Sequence, residues 1–227
     1  MSLLLNIDTA TETASVSIAR DGHILQEAIN KEQKDHAVFL QVAIQLICKN
    51  AGITLHKLDA VAVTEGPGSY TGLRVGMASA KGLCFALQIP LITVGTLNVL
   101  AWQAINQVKN MQHHLQVLFC PMIDARRMEV FTAIFDSNLN PILVPSSMII
   151  EQNSFANLLL KNKIVFSGNG STKWQLICKD ENAFFVKNEV NTLYMSELSH
   201  KKFLNRQFED VAYAEPLYIK EFFNPTV

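Results

Sequence analysis

The chain has 227 residues, 49% of them hydrophobic and 17% charged. This excludes intrinsic disorder and supports one large domain or two small ones that need no metal or disulfide staple. Nineteen basic against twenty acidic residues give a net charge of −1, so the chain as a whole is not built to grip a phosphate backbone, and near-zero charge favours association. No apolar run reaches the roughly 18–20 residues that span a bilayer.

Met1 to Asp8 lacks the basic start and the length of a signal peptide and reads instead as a buried strand, Leu3 to Asp8. Ala14 to Arg20 alternates as a half-buried strand, with Ala14, Val16 and Ile18 opposite Ser15, Ser17 and Ala19. Asp21-Gly22 is a hairpin signal, and His23 to Asn30 supplies a third strand. A helix follows from His36 to Ala51, ended by Gly52; Val38, Leu40, Val42, Ile44, Leu46 and Ile47 leave it little polar face. Asp59 to Thr64 is a short strand, Gly66-Pro67-Gly68-Ser69 a sharp break, and Thr71 to Leu87 a second helix stopped near Pro90. Leu91 to Val94 is again a strand, and Thr96 caps a third helix that runs to Val108. The order β-β-β-α-β-α-β-α is a complete unit, with a soft boundary in the polar stretch around residue 110.

The second half begins again with strands at Leu115 to Ile123, Met128 to Asp136 and Ile142 to Ile150. A short helix at Ser154 to Leu160, a strand at Ile164 to Phe166, a glycine turn, and helices at Thr172 to Cys178 and Thr192 to Asn205 complete it. The halves share an element order but no sequence repeat. The four cysteines, Cys48, Cys84, Cys120 and Cys178, are widely spaced among apolar neighbours and read as reduced, buried thiols.

Three stretches can carry chemistry. Asp8 ends the first strand, where a carboxylate can face a metal-bound phosphate and the hydroxyls of Thr9 and Thr11 can cradle phosphate oxygens; an ordinary Thr-rich turn is the plainer reading. Glu65 to Gly76 is glycine-rich but is neither a P-loop nor a nucleophile elbow. The helix that it opens carries Gly72, Gly76 and Gly82, and each glycine inside a helix costs about 1 kcal/mol relative to alanine. Something therefore packs very close to it, either the sheet of the same domain or a helix of another subunit. Ser167-Gly168-Asn169-Gly170-Ser171-Thr172-Lys173 reads equally as a glycine turn in which Gly168 and Gly170 can contact a nucleotide and as a plain strand–helix turn. No histidine spacing marks a metal site: His36 is followed at i+4 by Leu40, and the adjacent His113 and His114 point apart.

Asn6-Ile7-Asp8-Thr9-Ala10 with Ala14-Ser15-Val16, then Thr64-Glu65-Gly66-Pro67-Gly68-Ser69-Tyr70-Thr71-Gly72-Leu73-Arg74-Val75-Gly76 with Ala80-Lys81-Gly82, closely resembles the TsaB (YeaZ) family of bacterial tRNA threonylcarbamoyladenosine biosynthesis proteins. Pro121 to Val130 looks like that family's second-domain hairpin, and Ala214 to Lys220 its ending, where arginine is more usual than Lys220. The resemblance implies an α/β fold of two RNase H-like domains, the actin, Hsp70 and sugar-kinase (ASKHA) architecture. Residues 1–110 would form the first, with the partner-binding helices, and 111–227 the second, whose final segment can pack back on the first.

The resemblance also implies a cytoplasmic, non-catalytic paralogue of TsaD. Its partners are TsaD and the ATPase TsaE, in transfer of a threonylcarbamoyl group to the adenosine next to the anticodon of tRNAs reading ANN codons. It forms a homodimer when alone, its tRNA contact is secondary, and no membrane is involved. TsaD-like proteins hold a metal with an H-x-x-x-H pair, of which only His36 is present here, so no metal, no catalytic residue and no cofactor is expected. At most ATP or ADP binds weakly at a vestigial site of Asp8, Thr9, Thr11, Gly168 and Gly170. In the family, pairing uses the first two long helices, and Leu40, Arg74, Met77, Ala78, Lys81 and Phe85 are the expected contacts, with Arg74 and Lys81 seven apart on one face. The alternatives are an ATP-dependent phosphotransferase of the same architecture and a zinc-dependent glycopeptidase.

Overall fold

The computed structural model describes residues 1–31, 36–109, 116–187 and 192–220. The expected boundary near residue 110, and His113 and His114, lie outside the described residues. By its internal packing the chain divides into two units, Met1–Val99 with Glu189–Pro216, and Leu100–Asn188 with Leu217–Val227.

The first unit is built on the sheet β3-β2-β1-β4-β5, from β1 (Leu3–Asp8), β2 (Ala14–Arg20), β3 (His23–Asn30), β4 (Ala60–Gly66) and β5 (Leu91–Gly95). β1 to β3 form the antiparallel meander, and β1, β4 and β5 run parallel. Helices α1 (His36–Ala51) and α2 (Tyr70–Leu87) pack a core of Leu5, Ile7, Val16, Leu40, Ile44, Val63 and Met77 on one face. Gly52 ends α1 with φ +66, a left-handed conformation that suits glycine. Helix α3 (Thr96–Gln107) follows β5, and the division between the units falls within it. Thr96 does not cap this helix: it is the first helical residue, buried, and its hydroxyl has no hydrogen-bond partner.

The second unit repeats the order. Its sheet, read from the other edge, is β8-β7-β6-β9-β10, from β6 (Val117–Asp124), β7 (Glu129–Phe135), β8 (Pro141–Ile149), β9 (Lys163–Ser167) and β10 (Ala183–Phe185). β6 thus stands where β1 stands in the first unit, antiparallel to one neighbour and parallel to the other. Short β10 escapes sequence pattern because three residues hold no period. The helix expected at Ser154 to Leu160 shrinks to α4 (Ala156–Leu159), followed after β9 by α5 (Ser171–Ile177). Phe155, Phe166 and Trp174 make the centre of this core, Phe155 meeting the other two edge-on at 5.2 and 5.1 Å.

The last helix, α6 (Thr192–Leu204), belongs to the first unit although it follows the second sheet in sequence. It covers the other face of the first sheet, Met195 packing with Leu4, Ala62 and Val94. This corrects the half-buried reading of β2: Ser15, Ser17 and Ala19 are buried as well. Their face carries a polar seam rather than water. Asn6 donates to Ser196 at 3.1 Å and accepts from Ser199 at 2.5 Å, and the Ser17 and Ser196 hydroxyls lie 3.3 Å apart. A burial pattern of this kind needs every polar group matched, which small hydroxyls on both sides supply. Residues 209–214 then strap the sheet edge. Glu209 N donates to Leu91 O at 2.9 Å, and Lys81 Nζ donates to the carbonyls of Ala212 and Ala214 at 3.2 and 2.8 Å.

Gly72 and Gly76 of α2, and Gly68 just before it, are explained inside the unit. Gly68, Gly72 and Gly76 face the β1–β2 turn, where a Cβ would overlap the carbonyl oxygens of Ala10 and Thr9 and the Thr9 hydroxyl in turn. Ser69 N donates to Ala10 O and Thr9 Oγ1 to Gly72 O, both at 2.7 Å. Gly82, by contrast, has nothing within 4 Å of an added Cβ. Opposite outcomes are expected in urea unfolding. Gly72→Ala destabilises by roughly 2–3 kcal/mol through overpacking against backbone, whereas Gly82→Ala stabilises by about 0.5–1 kcal/mol.

Candidate functional site

Asp8 closes β1 beside the carboxyl end of β4, the side of a parallel arrangement where ligands gather. It is half-buried, and its Oδ1 accepts from Thr64 Oγ1 at 2.9 Å and from Ala10 N at 3.1 Å. Burial pushes its carboxyl above the ordinary 3.8, and the hydrogen bonds from Ala10 and Thr64 and the nearby His36 only partly oppose this. His36, at the start of α1, is 8% exposed; its Nε2 lies 3.1 Å from Thr11 O. A carbonyl only accepts, so Nε2 carries the proton, and Nδ1 is left buried without a partner.

The remaining members of the expected phosphate site are otherwise employed. Thr9 is fully buried, its hydroxyl spent on Gly72 O, so it clasps α2 and cannot cradle a phosphate. Thr11 turns its hydroxyl to Thr13 O at 3.3 Å. Gly168 and Gly170 belong to the second unit, where a Cβ on Gly168 would overlap Met122 O and one on Gly170 would lie 2.9 Å from the Ile123 carbonyl carbon. Gly170 N donates to Met122 O at 3.0 Å, and Ser171 Oγ to Gly168 O at 2.7 Å. These glycines let the turn press against the end of β6. Thiol chemistry has no better footing: burial pushes Cys84 to about 11 and Cys120 to about 12, and Cys178 alone is half-buried rather than buried.

The expected contact residues divide. Leu40 (0% exposed) and Met77 (3%) are core residues, which corrects their assignment to a docking surface. They point inward because their helices pack on the sheet through those same positions. Lys81 is half-buried and holds the strap. Arg74, Ala78 and Phe85 are exposed, with the Arg74 guanidinium 4.0 Å from the centre of the Tyr70 ring. What the sequence reading passed over is the outer stripe of α1: Val38, Val42 and Leu46 are 67, 61 and 50% exposed. Their i, i+4, i+8 spacing, opposite Leu40, Ile44 and Ile47, is the signal that finds them. Gln41 Nε2 donates to Ser79 Oγ at 3.3 Å and joins this stripe to α2, whose Phe85 is 74% exposed. Phe85 also borders a groove of about 750 Å3 with Gln88, Ile89 and Val211.

The sequence matches the TsaD family, described as tRNA N6-adenosine threonylcarbamoyltransferase, over residues 23–215. The chain belongs to this family. Among its curated relatives is the TsaB protein of Haemophilus influenzae, a tRNA threonylcarbamoyladenosine biosynthesis protein, 28% identical over 96% of this chain and 93% of that one. The Bacillus subtilis TsaB protein is 28% identical over 78% of this chain and 75% of its own length. YeaZ from Pseudomonas aeruginosa superposes with a TM-score of 0.78, covering 96% of this chain and all of that one at 23% identity, a likeness of fold. Within the TsaD family, these relatives set the chain on the TsaB (YeaZ) branch.

The buried carboxylate makes a pH prediction. A raised folded value means that the folded state holds the Asp8 proton more tightly than the unfolded state does. Its contribution is therefore most favourable below pH 3.8 and is lost as pH rises through the raised value. Asp8→Asn, which keeps both accepted hydrogen bonds, should raise the urea midpoint at pH 7, and the gain should shrink as the pH falls toward 3.8.

Proposed function

We propose that this chain is the non-catalytic, cytoplasmic subunit of the assembly that makes tRNA threonylcarbamoyladenosine. In this reading it supports threonylcarbamoyl transfer by TsaD to the adenosine next to the anticodon of tRNAs reading ANN codons, alongside the ATPase TsaE. The observation that carries the reading is the match with TsaB relatives over nearly the whole chain. Those relatives support this role rather than the phosphotransferase alternative. Two units with one sheet order fit a pair of RNase H-like domains of the ASKHA type.

Two features of the chain support an accessory role. The position one turn after His36 is held by Leu40, sunk in the core, so this face of α1 presents a single imidazole where a helical metal pair needs two. Of the vestigial site's hydroxyls, that of Thr9 is engaged in the fold; what nucleotide affinity Asp8 retains is weak. The working surface is the outer face of α1 and α2, with Val38, Val42, Leu46, Ala78 and Phe85. Burying such side chains contributes about 25 cal/mol per Å2, the driving force for docking on TsaD, or on a second copy when TsaD is absent. Among the described residues no helix is long and apolar enough to cross a membrane.

Reconstitution with each subunit omitted in turn tests the role: modified tRNA should appear only when this chain, TsaD and TsaE are all present, and turnover by this chain alone would refute it. The surface has its own test. Val42→Glu should abolish co-elution with TsaD while leaving Tm unchanged, whereas Leu40→Ala should destabilise the fold by roughly 2–5 kcal/mol.

A further inference from the structure

In the second unit, the turn between β6 and β7 carries Arg126 at φ +72 and Arg127 at φ +48. Left-handed backbone suits glycine, asparagine and aspartate and is strained for other L-residues. The chain can encode such a turn without that strain. Between β2 and β3 the two left-handed positions are Asp21 (φ +51) and Gly22 (φ +81), the pair that a hairpin prefers. Nothing in the backbone of the 124–129 turn calls for arginine, and strain of this kind concentrates where a side chain serves a partner.

Both arginines are exposed, and among the described residues neither guanidinium has a partner. The neighbouring carboxylates are already neutralised: Asp124 by Lys173 at 2.7 Å, and Glu129 by Lys220. With Lys173 of α5 and Lys220 beside the turn, four cations stand against these two anions, a local excess of two in a chain of net charge −1. A strained hairpin that projects two guanidiniums with no partner among the described residues is suited to phosphate oxygens, which planar forked donors bind well.

We infer that the Arg126–Arg127 hairpin contacts the phosphodiester backbone of the RNA substrate, giving this subunit a direct hold on tRNA. The inference rests on the function proposed above, which makes RNA the phosphate-bearing partner. Contact with backbone rather than bases makes the hold independent of sequence and sensitive to salt.

The test exploits the strain. In the double variant Arg126→Asn with Arg127→Gly, the turn receives residues that it prefers, so Tm should rise by roughly 2–5 °C. Affinity for unmodified tRNA, measured with TsaD and TsaE present, should nevertheless fall about tenfold, and the slope of log affinity against log salt should shrink by about 1.5–2. Arg126→Lys with Arg127→Lys should keep the salt slope, lose only part of the affinity and gain no stability. Unchanged tRNA affinity or salt slope in the first variant overturns the inference. So does a loss confined to retention of TsaD or TsaE, which would mean an acidic protein surface, or one confined to ATP binding, which would mean a free nucleotide. Wild-type chain that binds tRNA through this hairpin yet supports no tRNA modification would sink the proposed function and leave the inference standing.

Discussion

The first unit depends on the clasp between the β1–β2 turn and the start of α2. Backbone meets backbone there: Ser69 N reaches Ala10 O, Thr9 Oγ1 reaches Gly72 O, and three glycines remove every Cβ that would hold the segments apart. The contact fixes where α2 leaves the sheet, which sets its inner face (Leu73, Met77, Ala80, Cys84) on the core and its outer face (Arg74, Ala78, Phe85) in solvent. It also spends Thr9, the hydroxyl beside Asp8, on structure. The hydroxyl of Thr9 is thereby committed to the fold.

Asp8 keeps a carboxylate at the end of β1 under a desolvation penalty, with His36 close by and one buried imidazole nitrogen unmatched. Thr64 and the Ala10 amide both donate to its Oδ1, bonds that the side-chain oxygen of an asparagine could also accept. Burial and two accepted hydrogen bonds act on this carboxylate in opposite directions, and burial prevails.

The outer surface of α1 and α2 gives these helices two apolar faces, one for the sheet and one that faces solvent in the isolated chain. A surface helix ordinarily has a single apolar stripe. Val38, Val42 and Leu46 form the second, joined to α2 through Gln41 and Ser79. The strap over β5, held by Lys81 and Glu209, borders the same area, so the C-terminal part of the first unit shapes the groove beside Phe85.

Much of the local structure was legible in the sequence. The strands Leu3–Asp8, Ala14–Arg20 and His23–Asn30 and the helix His36–Ala51 have the bounds that alternation, Asp21-Gly22 and Gly52 indicate, because short-range period and turn chemistry decide them. The glycine stretch at 66–76 announced a close approach. What only the tertiary structure decided is which side of each helix is covered and what lies across from it. Leu40 and Val42 are both aliphatic and two residues apart, yet one is core and the other surface, since they point to nearly opposite sides of the helix and only the position of the sheet distinguishes them. Ser17 reads as a solvent-facing residue until α6, nearly 180 residues later, arrives with Ser196 to bury it. Local pattern reports the period of a segment, whereas burial depends on partners that are distant in the chain and close in space.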